Sequence, residues 1–197
     1  MKPGRTTKRL LIALASVWAR FFFVIIALTF AVITAANAQS QADEYAIKAA
    51  FLYKFGLFVQ WSAAAFSSLS SPVNLCIVGE DPFGNSLDTV VAGQQINGRD
   101  VVIRRMKTVG PNSPCHILYA GGSEEQSKAD ILNAVRGHSV LTVTDGSTSG
   151  PGIIHFVVAN NRIHFDIDED AAAQNELVIS SQLMNLALNI KRRSKEE

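Results

Sequence analysis

After residue 40, short continuous apolar runs alternate with segments whose apolar residues recur at helical spacing. Val73–Val78 is a short apolar, β-branched run of the kind that forms a buried strand, and Cys115–Ala120 is a second apolar run; Val101–Lys107 and Val140–Thr144 are predicted as further strands. Helix-start signals lie between them at Asp81-Pro82, for a helix to about Val91, and at Ser123, for a helix ending near Gly137. This alternation predicts an α/β, three-layer Rossmann-like domain with a mostly parallel sheet flanked by helices.

The C-terminal part of the chain has a different pattern. The segments Ile153–Ala159 and Arg162–Ile167 flank Asn160-Asn161, which predicts a hairpin that adds an antiparallel edge to the sheet. Asp168 or Asp170 is expected to cap a short helix, and Ser180 to start a last helix that continues to Ile190. If Asn160-Asn161 is the turn, Val157 pairs with His164 and His155 with Asp166, so that His155, His164, Asp166 and Arg162 share one face of the hairpin.

A helix predicted over 41–61 is apolar on nearly every side, although Glu44 and Lys48 form an i,i+4 pair on one face. Such a helix needs cover on more than one side, from its own domain or from a partner protein or second copy. The residues that we assign to a candidate partner interface are Tyr45, Phe51, Lys54, Phe58 and Trp61.

The first 38 residues have the pattern of a cleavable signal peptide. Five basic residues and no acidic ones precede or interrupt an apolar run at 21–33, and Ala36-Asn37-Ala38 forms a cleavage site before Gln39. The alternative is an uncleaved membrane anchor; in both cases the rest of the chain is exported, and we expect the periplasm. Residues 39–197 then form a single domain with 13 basic against 17 acidic side chains, a net charge of about −4 that argues against nucleic acid as a partner.

Cys76 and Cys115 are an even pair in an oxidising compartment, which favours a disulfide. If the strand order is the doubly wound 2-1-3, the first and third strands are neighbours and bring the two cysteines within reach of each other. The alternative is two buried thiols that never meet.

The search for chemistry gives mainly negative results. The chain has no P-loop, no GxGxxG after a strand and no HExxH, so we expect no catalytic residues, no cofactor and no metal. A candidate binding site is the loop 79–84, with Glu80, Asp81 and Phe83, and with Arg99 as a further candidate. The alternative function is thus a periplasmic small-molecule-binding protein or enzyme that uses this loop or the His155/His164 face of the hairpin.

Four strings along the chain are distinctive in their order and spacing: Glu44-Tyr45-Ala46-Ile47-Lys48-Ala49-Ala50-Phe51-Leu52-Tyr53-Lys54-Phe55 with Phe58 and Trp61, Cys76-Ile77-Val78-Gly79-Glu80-Asp81-Pro82-Phe83-Gly84, Cys115-His116-Ile117-Leu118-Tyr119 and Ser180-Ser181-Gln182-Leu183-Met184. Together they resemble the YfiR-like family of periplasmic proteins. In the family the shared cysteine pair corresponds to Cys76 and Cys115. A second pair, found in some relatives near 145–154, is absent here.

The resemblance implies a regulator without catalysis. Such proteins are similar to the repressor of an inner-membrane diguanylate cyclase, whose periplasmic sensor part they hold inactive, which lowers cyclic-di-GMP, biofilm formation and adhesion. An outer-membrane lipoprotein can relieve that repression by sequestering the repressor. The expected partners are therefore the cyclase or another sensor protein and such a lipoprotein, with a homodimer as a further possibility.

Overall fold

The computed structural model describes residues 41–146, 152–160 and 162–192. The predicted signal peptide and its cleavage site lie outside these ranges. The strands are β1 (Val59–Gln60), β2 (Val73–Gly79), β3 (Gln95–Ile96), β4 (Arg99–Met106), β5 (Ile117–Gly122), β6 (Leu141–Asp145), β7 (Ile154–Ala159), β8 (Arg162–Asp168), β9 (Val178–Ile179) and β10 (Ile190–Lys191). The helices are α1 (residues 41–55), α2 (Asn85–Val91), α3 (Lys128–Ala134), α4 (Glu169–Gln174) and α5 (Ser181–Met184). None of these helices is long and apolar enough to cross a bilayer.

Eight strands form one sheet in the order β10-β8-β7-β6-β5-β2-β4-β3. Strands β4, β2, β5, β6 and β7 pair in parallel, and β2 lies between β4 and β5, as the predicted 2-1-3 order requires. The hairpin β7–β8 is antiparallel and has the predicted register, with Val157 opposite His164 and His155 opposite Asp166. A separate two-stranded sheet pairs β1 with β9.

The central strands of the large sheet, β2, β5 and β6, are buried on both faces. Along β2, Leu75 and Ile77 join a core with residues of α1, α2, α4 and α5, whereas Cys76 and Val78 join a second core with residues of α3. This alternation follows from the two-residue period of a strand. The predicted three-layer α/β architecture with a mostly parallel sheet is confirmed.

The predicted helix 41–61 is wrong in its last third, because α1 ends at residue 55. A 3-10 turn, Gly56–Phe58, follows it, and Val59 and Gln60 then pair with β9. A Cβ at Gly56 would lie only 2.5 Å from Ile96 Cδ1, so the turn packs directly on the core. Pairing with a distant strand overrides the local helical pattern here.

Three helix boundaries also differ from the prediction. Helix α2 begins at Asn85, because the Asp81 carboxylate caps an earlier turn by accepting from the Phe83 and Gly84 amides at 2.9 and 3.2 Å. Helix α3 begins after Ser127, whose hydroxyl accepts from the Asp130 amide, and not at Ser123.

The last helix, α5, is capped by Ser180 as predicted but ends at Met184. It does not continue to Ile190, because Ile190 pairs with Ile167 in β10–β8. Between the two alternatives for α4, Asp168 is the cap: its side chain accepts from the Ala171 amide at 2.9 Å.

Cys76 and Cys115 form a disulfide, with their Cα atoms 5.7 Å apart. Cys76 lies in the middle of β2, and Cys115 lies two residues before β5, the neighbouring strand. The pairing inferred from the doubly wound strand order is thus confirmed.

Candidate functional site

A crevice of about 800 Å³ opens at the carboxyl ends of β2, β5, β6 and β7. In doubly wound sheets ligands bind at this edge, where successive crossovers leave to opposite sides. Here that point lies between β2 and β5, because the chain leaves β2 through α2 on one face and leaves β5 through α3 on the other. The described lining residues are Glu44, Tyr45, Lys48, Glu80, Asp81, Pro82, Tyr119, Gly121, Lys128, Asp145, Gly146, His155, Phe156, Val157 and Val158.

Glycines let the backbones of β2 and β5 meet closely at this edge. A Cβ at Gly121 would lie 2.0 Å from the Glu80 carbonyl oxygen, and one at Gly79, which has φ +82°, would lie 2.4 Å from the Gly122 carbonyl oxygen. The Glu80 amide donates to the Gly122 carbonyl at 2.9 Å. No side chain larger than hydrogen fits at these positions, so the floor of the crevice is main chain.

Lys48 of α1 is buried in the wall of the crevice, with 1% of its side chain exposed. Its ammonium donates to Asp145 Oδ2 at 2.6 Å and also pairs with Glu44 Oε1 one helical turn earlier. The Tyr45 and Phe156 ring centroids lie 4.8 and 5.7 Å from its Nζ. Two carboxylates and two aromatic rings thus compensate for the loss of hydration of this charge.

Two tyrosines lie beside this lysine. Burial, followed by the charge of Asp145, raises the pKa of Tyr45 to about 12, and the same two causes raise the pKa of Tyr119 above its usual range. Both rings pack edge-on against Phe83, at 5.7 and 4.7 Å between centroids. At neutral pH both phenols are therefore protonated and can donate hydrogen bonds.

The residues of the predicted loop 79–84 have separate roles. Glu80 is exposed at the rim of the crevice, whereas Phe83 is buried in the core. Asp81 lines the crevice but is held by Arg105 of β4, whose Nε lies 2.7 Å from its Oδ2. Arg105 also pairs with Asp88 of α2, and hydrogen bonds to these two carboxylates raise its pKa.

Arg99 does not join this loop. It starts β4 at the opposite end from Arg105, where its Nη1 donates to the carbonyls of Ser68 and Ser71 at 3.0 and 2.7 Å. Its guanidinium lies 3.9 Å from the Phe66 ring centroid. Arg99 therefore holds the loop before β2 in place.

Two of the four polar residues on the hairpin face, His155 and Asp166, are hydrogen-bonded within the domain. His155 shares a 2.8 Å hydrogen bond with the Thr144 hydroxyl, and Asp166 accepts from the amide and side chain of Asn189 at 3.0 and 2.9 Å. Within the part of the chain that the structure describes, no three His, Cys, Asp or Glu side chains lie together in a way that could hold a metal ion.

The residues assigned to a partner interface are distributed over three local elements. Tyr45 and Phe51 lie on α1, Phe58 lies in the 3-10 turn, Trp61 follows β1, and all four are partly buried against the core. Lys54 is exposed on α1. Much of the cover that the helix needs thus comes from its own domain.

Sequence reasoning missed Asp145, Lys128 and Tyr119 as members of one site. Asp145 comes directly after the predicted strand 140–144, and Lys128 opens α3 after β5 and donates to the Asp145 carbonyl at 2.9 Å. The place of Asp145 at the carboxyl end of a parallel strand was the available signal. The Glu44–Lys48 pair was visible, but nothing local shows that Lys48 is buried.

The chain can be compared with known families on this basis. Residues 45–188 match the sequence profile of the YfiR/HmsC-like family. The match runs from the first residues of the crevice in α1 to the segment after α5, and so covers most of the chain. The protein therefore belongs to the YfiR/HmsC-like family.

Proposed function

We propose that this protein is a non-catalytic periplasmic regulator that binds the periplasmic part of an inner-membrane diguanylate cyclase and represses it. The observation that carries the proposal is the family match over residues 45–188, which indicates a regulator in cyclic-di-GMP signalling. The family is generally regulatory and non-catalytic. Repression and the identity of the partner are the steps that this proposal adds.

Two features support export to the periplasm. The first 38 residues have the basic, apolar and small-residue pattern of a signal peptide. The Cys76–Cys115 disulfide suits an oxidising compartment, because cytosolic thiols are kept reduced.

Three titratable groups of the crevice are held in contacts within the protein, which supports a role without catalysis. Lys48 is paired with two carboxylates, Asp81 with Arg105, and His155 with a hydroxyl. A general acid or base needs a titratable group that is free to exchange its proton with a substrate.

The outer side of α1 and of the turn after it is the surface that we propose for the cyclase. Ile47 and Leu57 are 51% and 43% exposed, which is high for large apolar side chains, and Lys54 is exposed between them in sequence. Phe51 and Phe58 are partly buried beside them. Exposed apolar groups rimmed by charge are typical of protein–protein surfaces.

Photo-crosslinking at single sites in living cells tests this proposal. A photoreactive residue at Lys54 should capture a membrane protein with a cytosolic cyclase domain. The same residue at Lys107, an exposed lysine directly after β4, should not. Deletion of the gene should raise cyclic-di-GMP, and the Lys54→Glu variant should restore repression less well than Lys107→Glu. Unchanged cyclic-di-GMP in the deletion strain, together with no cyclase captured from Lys54, would refute the proposal.

The outer-membrane lipoprotein and a second copy of this chain are further proposed partners. The same crosslinking site tests both, because each capture product is identified by mass. A band at twice the mass of the chain would indicate a homodimer through this surface.

A further inference from the structure

We infer that the crevice at the carboxyl edge of the sheet is a binding site for a small organic cation, an amine or a quaternary ammonium compound. The first reason is its position. It lies at the switch point between β2 and β5, where doubly wound sheets bind their ligands, and its volume of about 800 Å³ is in the range of small-molecule sites. This inference does not depend on the proposed binding to a cyclase.

The second reason is the charge of the lining. Its described residues include four carboxylates and two ammonium groups. Arg105 neutralises Asp81 from the back of the loop, so one net negative charge is left. A net negative charge in a crevice with low-dielectric walls favours ligands that are cations.

Glu80 is the carboxylate best placed to meet such a ligand. It is exposed at the rim, and no cation pairs with it among the residues that the structure describes. Asp145 and Glu44, in contrast, are engaged by Lys48 deeper in the wall. A ligand amine can therefore form an ion pair with Glu80 without breaking an existing ion pair.

The third reason is that the crevice already holds a cation in the way that we propose for the ligand. The Lys48 ammonium lies 4.8 Å from the Tyr45 ring centroid and 5.7 Å from that of Phe156, with carboxylates beside it. Aromatic faces combined with carboxylates are the chemistry that recognises amines and quaternary ammonium groups. The Tyr45 and Phe156 rings both line the open volume as well.

Charge-matched probes test this inference on the full-length chain. We would titrate choline, ethanolamine and phenethylamine, and as a neutral control 3,3-dimethyl-1-butanol, which has the shape of choline without its charge. The readouts are thermal stabilisation and the backbone amide NMR signals of Gly121 and Gly146, which line the crevice. We expect at least one amine to bind and shift these two signals, and the neutral alcohol to bind about tenfold or more weakly.

The variant Glu80→Gln should weaken amine binding about tenfold, since it removes the carboxylate without changing the shape of the rim. Glu124→Gln, at another exposed glutamate outside the crevice, should leave the affinity unchanged. The inference is overturned if none of the three amines shifts the glycine signals at millimolar concentration. It is equally overturned if the neutral alcohol binds as tightly as choline, or if both glutamate variants weaken binding alike.

Discussion

Replacing Lys48 with methionine tests the energetics of the crevice most directly. Methionine keeps the length of the side chain but leaves Asp145, which is only 11% exposed, and Glu44, which is 33% exposed, without their shared cation. Removing one partner of a buried ion pair costs about 3–5 kcal/mol, mainly because the remaining charge stays buried and uncompensated. We therefore expect Lys48→Met to lower the free energy of unfolding by about 3–5 kcal/mol, a large part of the total for a domain of this size.

Urea unfolding, with the midpoint and the slope fitted separately, measures this loss. Lys54→Met is the matched control, because Lys54 lies on the same helix and is exposed, and we expect a change within about 0.5 kcal/mol. The double variant Lys48→Met, Asp145→Leu removes the uncompensated charge, so it should recover most of the loss. The reasoning is wrong if Lys48→Met loses less than about 1 kcal/mol, or if the double variant is no more stable than the single one.

Three further predictions follow from other contacts. His116 is buried, its Nδ1 accepts from the Asn74 amide, and burial lowers its pKa. The unfolded chain therefore binds a proton more readily than the folded one, so the free energy of unfolding should be highest above about pH 6.5 and fall as the pH decreases below it. His116→Asn should weaken this dependence, measured by urea unfolding across pH, while a variant of the exposed His138 should keep it. Replacing both disulfide cysteines with alanine should lower the free energy of unfolding by about 4 kcal/mol, since the bridge closes a loop of 39 residues; a loss under about 1 kcal/mol would contradict the loop-entropy estimate. Alkaline titration by phenolate absorbance should show that Tyr45→Phe removes a transition near pH 12, and removal of one near pH 10 would contradict the assigned environment.

The sheet was predictable because its central strands are short, mostly apolar runs bounded by turn residues, as is typical of strands buried on both faces. Once those strands were placed, the doubly wound order brought Cys76 beside Cys115 without any further information. The hairpin register was equally predictable, since the turn at Asn160 fixes every cross-strand pair by counting.

The ends of elements were less predictable. β1 and β9 are two residues each, too short for any periodic pattern, and β1 interrupts a segment that is helical by composition. Asp81 and Ser123 have helix-capping chemistry but cap turns that precede the helices by one turn or more. Asp and Ser side chains hydrogen-bond to nearby backbone amides in turns as well as at the N-termini of helices, so a capping residue alone does not locate the start of a helix.

The candidate site was only partly visible in the sequence. Glu80 and Asp81 were recognised from their place after a strand, but Lys48 meets Asp145 from 97 positions away. The pattern of residues along a helix gives no information about a contact with a residue 97 positions later, and lysine is rarely buried. Only the assembled sheet shows that both residues belong to one crevice.

The separation of Lys48 and Asp145 also has a consequence for how this chain reaches its native state. Asp145 follows Lys48 by 97 positions, so as the chain emerges from its N-terminus the lysine appears well before this carboxylate. During that interval α1 has neither its charge partner nor the sheet that covers its apolar side, so its docking is a late step. Among the helices that the structure describes, α1 is thus the first to emerge and one of the last to be fixed in place.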